Sequence, residues 1–247
     1  MSDHTIEIVH VERRAVEGIT RPFLCQASDD KWYWVKGKDC GVQGLCREWI
    51  AGLIGIELGL PIPPFVQAFV SDNIVRDSMI EDIQDLGSGV VFASEKVDGA
   101  EDMKLNHIKH VDMTTKQTLL VFDWWLQNED RTLGPRGGNP NLLWQPHTKR
   151  MFVIDHNNAF DAGFSLDSFR ENHIFAADFG QLTLHCTQEL QPQIQRISHT
   201  IDSFFDRLPD HWVQQVQLNP TPVFDTMKII VNRTLNDDTG SSHRHEQ

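Results

Sequence analysis

The chain has 247 residues, 40% of them hydrophobic and 23% charged, with seven Trp and fourteen Phe. This composition suits one folded globular domain and excludes an intrinsically disordered chain. The formal net charge of −13, with twelve His taken as neutral, argues against a sequence-independent grip on nucleic acid, which needs Lys and Arg in excess. A nucleotide is not excluded, because a few local cations and Mg²⁺ can hold phosphates.

Four cysteines occur, Cys25, Cys40, Cys46 and Cys186, with no C-x-x-C pair and no signal-like start. Free thiols in a reducing, cytoplasmic setting are expected. No run of about 18 apolar residues is present, so no membrane span is expected.

The alternating stretches TIEIVHV and FLCQA and the aromatic KWYWVKG predict strands within residues 6–36. A turn around Gly18 and Pro22 joins the first two, and an antiparallel meander is the simplest arrangement. Leu45, Trp49, Ile50, Leu53, Ile54 and Leu58 recur at helical spacing, so residues 45–58 predict a helix ended by Gly59 and Pro61. PFVQAFV and GVVFASEKV read as strands, with Gly-Ser-Gly at 87–89 as a turn before the second. Composition shifts from strand-like to helical near residue 98. A helix is predicted over 115–128, then a Gly/Pro-rich loop, then short strands NLLW and RMFVIDH. Residues 187–236 read as three helical pieces broken at Pro209 and Pro220, and residues 237–247 as a polar tail.

The chemistry concentrates in NEDRTLGPRGGNPNLLWQPHTKRMFVIDHNNAF. A hairpin of its two strands brings Asn141, at the start of one, beside Asp155, at the end of the other. An amide carbonyl and a carboxylate on one edge make a hard-oxygen site suited to Mg²⁺, which takes one or two protein ligands plus phosphate oxygens. Asp130 faces the same space. Asn139 is the alternative to Asn141 as the amide of this site.

This order of residues resembles the protein-kinase-like superfamily, and within it the HipA-like kinases, with phosphoinositide kinases as a further likeness. The "lGLPIPP" run after the helix at 45–58 adds to the resemblance, which extends over residues 6 to about 180. It implies an α+β, bilobal kinase-like fold: an N-lobe at 1–98 of antiparallel sheet plus one helix, and a mainly helical C-lobe at 99–236. It implies ATP and Mg²⁺ as cofactors and a protein Ser or Thr acceptor, the chain itself included. Lys36 would contact the nucleotide phosphates and Glu48 would pair with Lys36. Asp130 would orient or deprotonate the acceptor hydroxyl, and Asn141 and Asp155 would ligate Mg²⁺. Gly18, Ile19, Thr20 and Arg21 would cover the phosphates, and the backbone of Glu95, Lys96 and Val97 would meet adenine. The covering turn has a single glycine, and the Asp130–Asn141 loop is longer than in ordinary protein kinases.

Each role has a plainer rival: Lys36 as a solvated strand-end lysine, Glu48 on an outer helix face, Asp130 as a turn residue. Asp155 is harder to dismiss, since a carboxylate ending an apolar strand needs a partner. Asp178-Phe179-Gly180 spells the metal-binding tripeptide of protein kinases, but lies 48 residues past Asp130 and follows no apolar strand; it reads as a turn outside the site. His147, His156, His173 and His185 lack zinc-site spacing, and His156 is expected to shape the site rather than ligate. The alternatives are a non-catalytic nucleotide- or partner-binding module and a kinase of small molecules or lipids. No nucleic-acid or membrane partner is expected.

Overall fold

The computed structural model describes residues 5–16, 21–134, 137–181, 184–218 and 221–233. The N-terminal region opens with strands β1 (Ile6–Arg14), β2 (Phe23–Ala27) and β3 (Trp32–Lys36), which form the expected antiparallel meander. Helix α1 (Gly41–Glu57) follows, then β4 (Phe65–Val70), the short α2 (Asp72–Asp77) and β5 (Gly89–Glu95).

The meander is not an open sheet. β5 pairs antiparallel with both β3 and β4, and β4 pairs parallel with β1 at Ile6 and Glu7, closing a five-stranded barrel in the order β1-β2-β3-β5-β4. The closing contact is parallel and joins residues some sixty positions apart, so local alternation gives no sign of it. Two register shifts in β1, between Ile8 and His10 and between Val11 and Arg13, supply the extra twist that closure needs. Ile8, Phe23, Cys25, Tyr33, Val35, Ala68, Val91 and Ala93 fill the barrel interior.

Helix α1 begins four residues before the apolar periodicity does and ends at a Schellman motif. Gly59, at φ 78°, donates to the Ile56 carbonyl at 2.9 Å, and Leu60 donates to Gly55 at 2.9 Å. Glycine accepts this left-handed position without the Cβ clash that other residues meet. Within the helix, Gly52 and Gly55 let neighbours approach closely: a Cβ there would lie 2.8 Å from the Phe65 ring and 2.3 Å from Ile62 Cδ1.

The C-terminal region starts with a two-residue strand β6 (Glu101–Asp102) and helix α3 (Met113–Trp125). Asp112 caps α3 by accepting from the Thr115 amide at 2.8 Å, which starts the helix two residues ahead of the periodic pattern. Residues Thr118 to Trp125 are buried on every side, as for a helix at the centre of a core. α3 stops at Trp125, three residues short of the expected end; beyond it Gln127 turns left-handed at φ 54°, and Asn128 donates to the Asp123 carbonyl at 2.8 Å. Strands β7 (Leu142–Gln145) and β8 (Arg150–Val153) form the expected hairpin, with β6 added at its edge.

The remaining helices are α4 (Leu166–Asn172), α5 (Leu184–Thr200), α6 (Asp202–Phe205), α7 (Asp210–Gln217) and α8 (Val223–Asn232). Pro209 does precede a helix, whereas Pro220 lies outside the described residues; the break at Ile201 adds a piece that proline positions do not mark. α2 and α4 are also additions, both too short for a periodic signal. The larger of two buried clusters joins one face of α1 to α3, α5, α7 and α8 through Trp49, Ile50, Ile54, Leu119, Phe122, Ile197, Trp212 and Met227. Among the described residues no helix is long and apolar enough to cross a membrane.

Candidate active site

Lys36 ends β3, and Glu48 lies two turns into α1. Neither is solvated: Lys36 is 7% exposed and Glu48 1%. The Lys36 ammonium donates to Glu48 Oε1 and, at 2.7 Å, to Asp155 Oδ1. Glu48 uses its other oxygen to accept from the His156 amide at 3.0 Å. One lysine and one glutamate from the first hundred residues therefore hold the segment just beyond β8, more than a hundred residues later in the chain.

The charges are mutually dependent. Burial alone would lower the Lys36 pKa, but Asp155 and then Glu48 more than reverse this and hold it above its ordinary value. Burial raises Glu48 above the ordinary carboxylate range, against the pull of Lys36. Burial acts on Asp155 in the same sense, yet the Lys36 charge overrides it and Asp155 lies below its ordinary value. Asp155 thus stays an anion, and its side chain is 24% exposed, open enough to meet a ligand.

Asp130 stands across from this group, in the loop after α3. Its Oδ2 accepts from Asn158 Nδ2 at 2.8 Å, from Asn141 Nδ2 at 3.0 Å and from Asn139 Nδ2 at 3.4 Å. Both candidate asparagines therefore reach Asp130, and Asn141 does so with the better geometry and a second bond to the Asp130 carbonyl at 3.2 Å. Asn141 and Asp155 sit at neighbouring positions of the hairpin mouth: Leu142 faces Val153, and the Ile154 amide donates to the Asn141 carbonyl at 3.1 Å. Both adopt left-handed backbone, at φ 48° and 56°, which Asn and Asp tolerate better than most residues. With its amide nitrogen spent on Asp130, Asn141 keeps a side-chain carbonyl oxygen as a hard donor at the same hairpin mouth as the Asp155 carboxylate. That donor set fits Mg²⁺.

From sequence alone, no role in the site falls to Asp123, Asn128, Arg131, Asn158 or His173. Asp123, Arg131 and His173 form a buried network beneath the loop: Arg131 Nε donates to Asp123 Oδ2 at 2.8 Å, and His173 Nε2 lies 3.0 Å from the same oxygen. Asn128 Nδ2 completes it with a bond to Asp123 Oδ1 at 2.9 Å. Burial opposes ionisation of Asp123, but Arg131 and His173 keep its pKa below the ordinary value. A signal existed for Asp123, a lone carboxylate inside the apolar run LLVFDWWL. Asn158 and His173 carry none. His156 is buried against Phe122, neither ring nitrogen has a hydrogen-bond partner among the described residues, and burial lowers its pKa to about 3.

The remaining expected residues are those of the covering turn and the linker. Gly18, Ile19 and Thr20 lie outside the described residues. Arg21 meets Asp82 at 3.3 Å, beside Arg14, which binds Asp39 at 2.8 Å and Asp85 at 2.6 Å. Glu95, Lys96 and Val97 do connect the barrel to the C-terminal region. However, the Glu95 amide already donates to Pro64 at 2.7 Å and the Lys96 amide to Trp32 at 2.8 Å. These two donors complete the barrel edge and are not available to a base. Asp178 sits in a 3₁₀ turn and pairs with Lys116 at 3.3 Å, whereas Lys36 pairs with Glu48 and Asp155.

The sequence matches the HipA-like kinases over residues 8–241. The chain belongs to the HipA-like kinase family. Among solved structures, this HipA-like kinase resembles the Helicobacter pylori proinflammatory kinase CtkA, with a TM-score of 0.55 and 12% identity over 92% of this chain and 93% of that one. The likeness shows a shared kinase-like fold. Two CtTel1 structures, the complete dimer and the FAT and kinase domain, match at 14% identity and a TM-score of 0.34, over 12% and 22% of their chains, too remote to argue from. No curated protein sequence matches.

Proposed function

We propose that this HipA-like kinase transfers the terminal phosphoryl group of ATP to a Ser or Thr hydroxyl of a protein, its own chain included. The observation that carries the reading is the Lys36 ammonium held between Glu48 and Asp155, with Asp130 and Asn141 bonded to each other at the same hairpin mouth. Phosphoryl transfer asks a protein chiefly for positioning and charge neutralisation, and these residues supply both. Lys36 binds the phosphates, and Glu48 keeps it in place. Asp130 presents Oδ1 to the acceptor hydroxyl, because its three amide partners converge on Oδ2. Asn141 and Asp155 would hold Mg²⁺, which supplies positive charge to the phosphate oxygens.

On this reading residues 1–98 are the N-lobe, 99–236 the C-lobe and 237–247 a tail. Glu95 to Val97 are the lobe linker. With two of its amides committed, adenine recognition there falls to Val97 and to backbone carbonyls. The Ser/Thr acceptor is drawn from the family, and a cytoplasmic setting from the cysteine pattern of the sequence.

Incubation with Mg²⁺ and γ-labelled ATP tests the proposal. Label should appear on the chain or on an added Ser/Thr protein substrate, and Asp130→Asn should lower it by about 10²–10⁴-fold. Mg-ATP binding without transfer would favour a binding module instead, and label on an added lipid or metabolite alone would reassign the acceptor.

A further inference from the structure

We infer that Arg131 is a positioning residue that sets the backbone of both Mg²⁺-ligand positions at once. Its side chain is fully buried, with Nε fixed by Asp123. Nη1 then donates to two backbone carbonyls, Asn141 at 2.5 Å and Ile154 at 3.1 Å. These carbonyls belong to one ligand itself and to the residue immediately before the other. The guanidinium thus bridges the two strand ends at the point where both turn into left-handed backbone. The Asn141 carbonyl also accepts from the Ile154 amide, so the cation and the last hairpin bond meet on one oxygen.

The arrangement is costly for a purely structural purpose. A fully buried cation needs several partners, and hydrophobic residues of similar volume usually stabilise a core as well or better. Here Nη2 lacks a partner among the described residues, so burial is not fully compensated. What the charge achieves is geometric: a planar fork carries one fixed direction from Asp123 to both carbonyls, which the single rotating ammonium of a lysine does not. His173 and Asn128 in turn hold Asp123, so the clamp extends from α3 through Asp123 to the hairpin. Groups behind metal ligands commonly tune affinity by ten- to a hundredfold.

The part of this inference that concerns Mg²⁺ rests on the proposed phosphotransfer; the part that concerns the backbone does not. Arg131→Lys tests both. In the ligand-free protein, amide exchange at Ile154 should accelerate about tenfold or more relative to amides of β2 and β3, as expected for losing a charge-assisted bond on its acceptor. In a titration of Mg²⁺ at fixed ATP, apparent Mg²⁺ affinity should fall about tenfold or more, while metal-free nucleotide binding is unchanged. If thermal stability falls but the relative exchange at Ile154 and the Mg²⁺ dependence both stay at wild-type values, Arg131 is structural only and the inference is overturned. If the wild-type chain shows no Mg²⁺-dependent nucleotide binding, the phosphotransfer reading fails while the exchange measurement still decides the clamp. Should Arg131→Lys not fold, Asp123→Asn carries the same measurements, because it keeps the guanidinium and removes the charge that aims it.

Discussion

Replacing Lys36 by Met removes the one cation between two carboxylates. Asp155 can turn toward water, but Glu48 is enclosed and keeps, among the described residues, the His156 amide and the neighbouring Asp155 carboxyl, neither of which carries a positive charge. Removing one member of a buried ion pair costs about 3–5 kcal/mol, and that is the loss expected at pH 8. The pH dependence follows from Glu48. Its pKa is already raised by burial, and the variant deletes the main opposing charge. A carboxyl with a raised folded-state pKa stabilises the native state while protonated, and that contribution is lost as pH rises through the folded value. The Lys36→Met penalty should therefore be smaller at pH 5 than at pH 8, by about 1.4 kcal/mol for each unit, between pH 5 and pH 8, by which the variant raises Glu48 beyond its wild-type value. Urea unfolding followed by Trp fluorescence at the two pH values measures this. Lys36→Met/Glu48→Gln should recover part of the loss at pH 8, since the amide carries no charge to strand. A penalty below about 1 kcal/mol, or an equal penalty at both pH values with no recovery in the double variant, would refute the buried-triad reasoning.

Asp130→Asn should lower phosphoryl transfer by about 10²–10⁴-fold while nucleotide still binds, as measured by labelled-ATP turnover against calorimetry. Asp155→Asn should lose the Mg²⁺-dependent part of nucleotide binding, whereas Asp178→Asn should keep it; equal behaviour of the two would undo the site assignment. Gly37→Ala would place a Cβ 1.9 Å from the Leu86 carbonyl oxygen, which also accepts the Lys38 amide, so a loss of at least about 2 kcal/mol is expected in urea unfolding. His173 is buried, and its pKa is lowered by burial despite Asp123. The unfolded chain then binds the extra proton first, so stability should fall as pH drops below the ordinary value of 6.5, and His173→Gln should flatten that fall.

What sequence shows about this fold is mostly what is local. The strands, α1 and α3 announce themselves through periodicity and punctuation, and the hairpin of β7 and β8 follows from two short apolar runs. That hairpin was enough to bring Asn141 and Asp155 together. The pairing of Lys36 with Glu48 came through family resemblance, because nothing in WYWVKG or LCREW states that either side chain is buried. The parallel contact of β1 with β4 was out of reach, since two-residue pairings leave no periodic trace. Buried polar residues are the most instructive omission. Asp123 breaks an apolar run and as a buried carboxylate calls for a partner, while Arg131 and His173 join it only through the tertiary fold.

Helix α1 has a consequence for any attempt to divide the chain. Its place in sequence is among the strands, but Trp49, Ile50 and Ile54 belong to the same buried cluster as Leu119, Ile197 and Trp212. Trp212 in turn donates to the Val90 carbonyl of β5 at 3.1 Å. A fragment ending near residue 98 would keep the barrel yet leave the apolar stripe of α1 bare, and a fragment starting there would lack one wall of its core. Neither half has the makings of an autonomous unit, and exposed stripes of this kind lead to aggregation. The intact chain should therefore lose its structure in one cooperative transition, with the strands and the helices melting together.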